Sequence, residues 1–311
     1  LRSLFVDLTG WRDTEQLPLD ELIRERFETI DMSTTLPIVT GYASAREGLM
    51  KVYDRGYSEI TFSHIAYVTG AREAVIHKEY HLSSADPRLV GEENAVPIGR
   101  TNYDVADQLS NVGMEAIHPG AAAALRVRNA FQPEHQGTLI DGTYCAESPC
   151  VEIIAGRKGV IALEFFCQDM VGAFGYDRSV METLERHRIR VFTKEMNANT
   201  VTHYVMGTLK AVKRACADLE ERYPQARVTT RRLAVVCAIG SDLNVPGLLA
   251  NCVEALADAN ISIEAIHQSL RSIDIKFVVS EDDFEAAVRA LHARTIRPQS
   301  DDALVKVVAE A

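Results

Sequence analysis

The chain has 311 residues, 47% of them hydrophobic and 25% charged, with 18 Gly and 10 Pro, which excludes a disordered or fibrous protein and leaves room for two or three globular domains. Thirty-three Lys plus Arg against 44 Asp plus Glu give a formal net charge of −11. A chain this acidic lacks the broad basic face that nucleic acid or an anionic membrane requires, although a local anion site is compatible with it.

No apolar run approaches the roughly 18 residues of a membrane span. The cysteines at 145, 150, 167, 216, 237 and 252 form no C-x-x-C pair and read as reduced, buried thiols of a cytoplasmic protein. The start, Leu1-Arg-Ser-Leu-Phe-Val-Asp7, resembles neither a signal peptide nor an initiator sequence and reads as the interior of a domain.

In chain order, Leu36–Tyr42 is an apolar run ending near a glycine and predicts a buried strand, and Leu49–Tyr53 is a second candidate. Ser58–Val68 predicts a helix with Ser58 as N-cap and Ile60, Ile65 and Val68 inward. Glu73–His77 is a strand. Thr101-Asn-Tyr-Asp104 opens a further helix with a capping-box-like pattern, ending at Gly113. Alternating strands and helices predict an α/β domain with a mostly parallel sheet over residues 1–145.

The turn-rich stretch Asp141–Pro149 marks a boundary. Beyond it the order β-α-β-β-α occurs twice. Strands at Val151–Ala155, Val160–Phe166, Ile189–Phe192 and Val201–Val205 surround helices at Val180–Leu184 and Leu209–Tyr223. Strands at Leu233–Ile239, Ile261–Ile266 and Asp274–Val279 then accompany helices at Pro246–Asp258 and Asp283–His292. This predicts two ferredoxin-like α+β units, residues 146–230 and 231–311.

Three segments carry chemistry. In Asp54-Arg-Gly-Tyr-Ser-Glu-Ile-Thr61, an arginine and a glycine precede a helix N-terminus, where backbone N–H groups favour anions and Arg55 can grip a carboxylate or phosphate as a fork. On spacing alone, a capped helix with a surface arginine is the plainer explanation. Ser83-Ser-Ala-Asp-Pro-Arg88 predicts a turn beyond the carboxyl end of a strand, where open parallel sheets bind ligands; a solvated loop is the plainer alternative. Gly113-Met-Glu-Ala-Ile-His-Pro119 reads as structural by itself. The histidines at 77, 81 and 118 match no metal spacing, and no metal site is expected.

Together these segments resemble the aspartate kinases of the amino-acid kinase superfamily. Arg55-Gly-Tyr-Ser-Glu59 matches the family's Arg-Gly-Gly-Ser-Asp, and Asp86-Pro-Arg88 its Asp-Pro-Arg turn. Gly113–Pro119 matches its Gly-Ala-Lys-Val-Leu-His-Pro, and Gly137-Thr-Leu139 its Gly-Thr-Leu. The repeated C-terminal units are similar to its paired ACT domains. The wording of Ile76–Pro87 and Thr101–Ser110 is especially similar to the variant associated with ectoine biosynthesis.

The resemblance implies transfer of the γ-phosphoryl group of Mg-ATP to the β-carboxylate of L-aspartate, giving 4-phospho-L-aspartate. It implies that Arg55, Gly56, Ser58 and Tyr42 bind the substrate, with Arg55 and Glu59 beside the reacting groups. His77, Lys78, Ser83, Arg88 and Glu115 would line the nucleotide. An amino-acid effector would sit near Met170, Gly175 and Tyr176, and the ACT domains would join two copies into a dimer.

Departures from the family are local. Tyr57 replaces a glycine, His77-Lys78 replaces Thr-Asp, and Glu115 replaces a lysine, which suggests that Lys78 and Glu115 face each other with exchanged charge. Ala173 and Phe192 stand where lysine-sensitive members place polar effector contacts, so strong lysine inhibition is not expected. The family's amino-terminal Lys-x-Gly-Gly segment has no counterpart, and the connection at Gly120–Val127 is short. Residues 1–311 alone are therefore expected to show no turnover. The competing reading is an amino-acid-sensing ACT protein with a degenerate kinase half.

Overall fold

Two long antiparallel strands frame the C-terminal half. The computed structural model describes residues 1–9, 17–46, 57–112 and 124–296. Within them, β1 (Arg2–Val6) pairs in parallel with β2 (Thr35–Val39), and α1 (Leu19–Phe27) and α2 (Tyr57–Val68) pack nearby. Val6, Leu8, Leu22, Ile23, Phe27 and Ile60 close the small core between them.

A second sheet has the order β3 (Glu73–Lys78), β5 (Ala124–Asn129), β6 (Thr138–Ile140), β4 (Arg100–Thr101). β3 and β5 run parallel, as do β4 and β6, whereas β5 and β6 are antiparallel. The short α3 (Pro87–Val90) and the longer α4 (Tyr103–Asn111) leave this sheet toward the C-terminal half.

There the strands β7 (Cys150–Phe166), β8 (Arg190–Met196), β9 (Thr200–Met206), β10 (Arg227–Ser241), β11 (Ile263–Gln268) and β12 (Asp274–Ser280) form one antiparallel sheet, ordered β11-β12-β10-β7-β9-β8. Helices α5 (Tyr176–Arg186), α6 (Leu209–Arg222), α7 (Leu248–Asp258) and α8 (Phe284–Thr295) complete the half. The pairing of β7 with β10 runs from Arg227 opposite Phe166 to Ser241 opposite Cys150. The amino-terminal half of β10 thus supplies a fourth strand to the unit containing α5 and α6. The amino-terminal half of β7 does the same for the unit containing α7 and α8.

Alternation along β10 gives this sheet two buried faces. Ala234, Val236 and Ala238 point toward Leu256 of α7 and Phe284, Val288 and Leu291 of α8. Leu233, Val235, Cys237 and Ile239 point the other way, onto Ile98, Val105, Leu109 and Val112 of the first half. The first half is therefore seated on the C-terminal sheet by apolar burial, worth roughly 25 cal/mol per Å² removed from water.

Polar contacts cross the same seam. Glu152 of β7 accepts hydrogen bonds from Thr101 Oγ1 on β4 and from Ser241 Oγ on β10, both at 2.7 Å. Burial pushes the Glu152 carboxyl up, and the two hydroxyls hold part of that rise back. Arg271, after β11, reaches Asp104 at the start of α4 at 2.6 Å.

The structure corrects five local expectations. The Leu36–Tyr42 run is not a buried strand: β2 is Thr35–Val39, and Leu36, Ile38 and Tyr42 are exposed. Val151–Ala155 and Val160–Phe166 are one strand; the Gly156-Arg-Lys-Gly159 interruption is absorbed as a bulge, with Gly159 at φ +77° and the register shifting opposite Ala234. Ser58 is the second residue of α2 rather than its cap. Thr101 belongs to β4, and Asn102 Oδ1 accepts from Val105 N–H at the start of α4. All six cysteines are free, but Cys145 is exposed and only Cys167, Cys237 and Cys252 are buried. Burial pushes the Cys237 thiol up to about 12 and the Cys252 thiol up to about 11, which makes both inert packing residues. The Leu49–Tyr53 strand and Gly113 lie outside the described residues.

His203 on β9 is fully buried, with Asp177 of α5 3.4 Å from Nε2, longer than a good hydrogen bond. Lys194 of β8 takes the other carboxylate oxygen of Asp177 at 2.6 Å. Burial lowers the His203 pKa from 6.5 to about 4, opposed by Asp177 and assisted by Lys194. The imidazole is neutral when folded and protonates more readily when unfolded. Its contribution is complete above the unfolded value and is lost as pH falls from 6.5 toward 4. Urea unfolding at pH 7 and pH 5 should show a loss of about 2 kcal/mol from this residue. That part of the loss should disappear in His203→Leu, and an identical pH dependence in the two proteins would contradict it.

Candidate active site

The carboxyl ends of parallel strands carry the candidate site in two clusters. The first follows β2. Gly41 lies so close to α2 that a Cβ on it would stand 2.3 Å from the Ser58 Cβ, a contact no side chain tolerates. Thr61, buried in α2, donates to the Gly41 carbonyl at 3.1 Å. This lock holds the backbone just before Tyr42, which is 51% exposed, against the first turn of α2, where Ser58 donates to Glu59 Oε2 at 3.2 Å. Ser58 and Glu59 thus stand in the first turn of a helix, where N–H groups favour an anion, with Gly41, the neighbour of Tyr42, packed against Ser58. Arg55 and Gly56 lie outside the described residues.

The second cluster follows β3. His77 and Lys78 end that strand opposite Arg128 and Asn129 of β5, and the Lys78 carbonyl accepts from Ala130 N–H at 2.8 Å. Beyond it, His81 and His135 stack with ring centroids 4.0 Å apart. Burial and the facing His135 lower the His81 pKa, which keeps the pair from carrying two charges.

Ser83 donates to the Ala85 carbonyl at 2.7 Å, tightening the turn that leads to Asp86. Asp86 caps α3 by accepting from Arg88 N–H at 3.0 Å, and the Arg88 guanidinium grips the same carboxylate through Nε at 3.0 Å and Nη2 at 2.7 Å. Those hydrogen bonds, chiefly from the side chain, hold the Asp86 carboxyl below its ordinary range. Arg88 is exposed with two of its donors engaged, so an arriving phosphate finds the remaining Nη1 edge or displaces Asp86.

Glu115 lies outside the described residues, and with it the suggested pairing with Lys78. Among the described residues no three His, Cys, Asp or Glu side chains converge as a metal site. Gly41, Thr61 and Ser84 were missed in the sequence. Gly41 stands one residue before Tyr42 and Ser84 one residue after Ser83, but nothing local distinguishes a glycine or serine that touches a distant element.

At the expected effector position, Met170 is buried in a 3₁₀ turn, Gln168–Met170. Gly175 caps α5 in the left-handed region at φ +95°. The Tyr176 ring packs beside those of Phe165 and Tyr223, at 6.2 and 5.2 Å between centroids. Phe192 is half-buried against the sheet core, on the face that carries α4.

Residues 6–130 match the amino acid kinase family and residues 236–294 match the ACT domain. The aspartate kinase Ask_Ect of Stutzerimonas stutzeri (strain A1501) is 55% identical over 96% of this chain. The chain is thus similar to an aspartate kinase along almost its whole length. It spans 64% of that relative's length. The same fold occurs in the aspartate kinase of Clostridium acetobutylicum, with a TM-score of 0.76 at 20% identity, covering 94% of this chain and 69% of the other. It also occurs in Escherichia coli aspartokinase III in complex with aspartate and ADP, with a TM-score of 0.74 at 20% identity and the same coverages. No helix among the described residues is long and apolar enough to cross a membrane.

The Gly41 contact gives a direct test of the first cluster. Gly41→Ala should push Ser58 and the start of α2 away and cost about 2 kcal/mol of stability in urea unfolding. An unchanged midpoint would show that the close approach does not hold the cluster.

Proposed function

We propose that this chain provides catalytic and regulatory parts of a cytoplasmic aspartate kinase that takes the γ-phosphoryl group of ATP and gives 4-phospho-L-aspartate, serving ectoine or aspartate-family amino-acid synthesis. The observation that carries the reading is the packing of Gly41, the neighbour of Tyr42, against Ser58 beside Glu59 in the first turn of α2, beyond the carboxyl end of a parallel strand. The 55% identity to an aspartate kinase supports it.

In this reading aspartate lies at the α2 terminus, with Tyr42 beside it, Ser58 orienting it, and Arg55 gripping a carboxylate. The substrate's β-carboxylate oxygen forms the new bond to phosphorus, the bond between the γ-phosphorus and the bridging oxygen breaks, and ADP leaves. Little covalent chemistry is asked of the protein; positioning and charge balance supply most of the acceleration. Glu59, held by Ser58, stands beside the reacting groups.

The nucleotide lies toward His77, Lys78, Ser83, Arg88 and Glu115. The cationic groups of Lys78 and Arg88 suit phosphates. The Mg²⁺ travels with the nucleotide and neutralises charge on its phosphates. The ACT units form a homodimer, and an amino-acid effector occupies the region of Met170, Gly175 and Tyr176. With Phe192 half-buried in the sheet core, lysine is a poor candidate for that effector.

Glu59→Gln in the full-length enzyme should lower kcat by about 100-fold while leaving KM for ATP within twofold, read by coupled ADP release. Wild-type kinetics in that variant would sink the assignment of Glu59. Absence of aspartate-dependent ADP release from the wild-type enzyme would sink the reading as a whole.

A further inference from the structure

The turn that carries Ser83 and Arg88 is held from the far end of the chain. Ser84, 2% exposed, has every polar atom engaged. Its N–H donates to the Val96 carbonyl at 2.8 Å, and its carbonyl accepts from Ile154 N–H of β7 at 2.7 Å. Its Oγ accepts from Val96 N–H at 2.9 Å and lies 2.8 Å from Nε2 of His292, which is 208 residues away on α8 and itself 6% exposed.

Ser84 Oγ accepts from Val96 N–H and keeps its own proton to donate, which His292 Nε2 receives in the tautomer protonated at Nδ1. Burial depresses the His292 pKa, favouring the neutral ring that accepts such a proton. Around this junction, Ala85 and Val90 share a buried cluster with Phe284, Ala287, Val288 and Leu291 of α8. Arg289 of α8 approaches the Leu89 carbonyl at 3.5 Å. The turn thus leaves β3 and rests on the last helix of the C-terminal unit.

We propose that His292 is a positioning residue for the nucleotide: through Ser84 it fixes the Ser83–Arg88 turn, so that nucleotide affinity depends on a side chain of the second ACT unit. The proposal rests on the reading of that turn as nucleotide-binding. A histidine that merely fills core volume would be replaced by an apolar ring without selective effect. A positioning histidine needs an acceptor atom aimed at Ser84.

The test uses the full-length enzyme with His292→Phe, His292→Gln and Ser84→Ala. In His292→Phe, KM for ATP should rise about tenfold, the scale of one lost buried hydrogen bond, while KM for aspartate and kcat stay within twofold. His292→Gln, which keeps an acceptor, should restore most of the affinity. Ser84→Ala should reproduce the defect, and combining it with His292→Phe should add nothing further.

Amide exchange in the same proteins reads the turn without using activity. Val96 and Ile154 should exchange about tenfold faster in His292→Phe, and near the wild-type rate in His292→Gln, while the β10 amides do not change. If His292→Phe does not fold, Ser84→Ala and His292→Gln decide. Unchanged ATP KM and unchanged exchange would overturn the proposal, as would a uniform acceleration across β10 with both KM values altered equally. Failure of the kinase reading shows instead as wild-type enzyme without aspartate-dependent turnover, with the exchange result still deciding whether His292 holds the turn.

Discussion

The pairing of β7 with β10 is the constraint on which the rest of the molecule depends. Each strand serves both α+β units, so neither unit has a complete sheet without the other. Sharing central strands also removes two sheet edges, which otherwise template aggregation. The geometry is unforgiving at the strand crossing. An added Cβ on Gly240 would stand 2.0 Å from the Cys150 carbonyl, and one on Gly156 would stand 2.3 Å from that of Val235. Only residues without a side chain allow the backbones to come this close.

A sheet built this way has a second face to cover, and the first half of the chain covers it. The apolar contribution comes from Ile98, Val105, Leu109 and Val112. The polar contribution is a half-buried carboxylate, Glu152, between one hydroxyl from each half. An acid partly removed from water is stabilised where hydrogen bonds replace that water. Specific polar contacts of this kind fix the register of the seam, which apolar packing alone would leave free to slide. The consequence for function is that the turn at Ser83–Arg88 and the start of α4 take their positions from the C-terminal sheet as well as from their own.

How much of this was legible follows from the range of each interaction. The amphipathic helix beginning at Leu209 and the apolar strand over Leu233–Ile239 are written in local periodicity, and the structure places both there. Ser58 looked like a cap because serine before an apolar run usually is one; instead α2 includes it, and its side chain turns to Glu59. Val151–Ala155 and Val160–Phe166 read as two strands, because the Gly156-Arg-Lys-Gly159 stretch between them breaks the apolar pattern. Pairing with β10, some 75 residues on, supplies hydrogen bonds that keep the strand continuous through a bulge. At the candidate site, Tyr42, Ser58 and Glu59 were readable through family resemblance. Gly41 and Ser84 were not, since their importance is a close approach in one case and a partner 208 residues away in the other.

The central claim is that the first half is seated on the β7–β10 frame and depends on it. Native-state amide exchange of this chain carrying Gly240→Ala tests that most directly, because the substitution strikes the frame at a point remote in sequence from the first half. The account predicts faster exchange at Val236 and Ile154 and a matching acceleration at Val96 and Ile98, as one cooperative unit. Acceleration confined to β7 and β10, with Val96 and Ile98 protected as in the wild type, would contradict it.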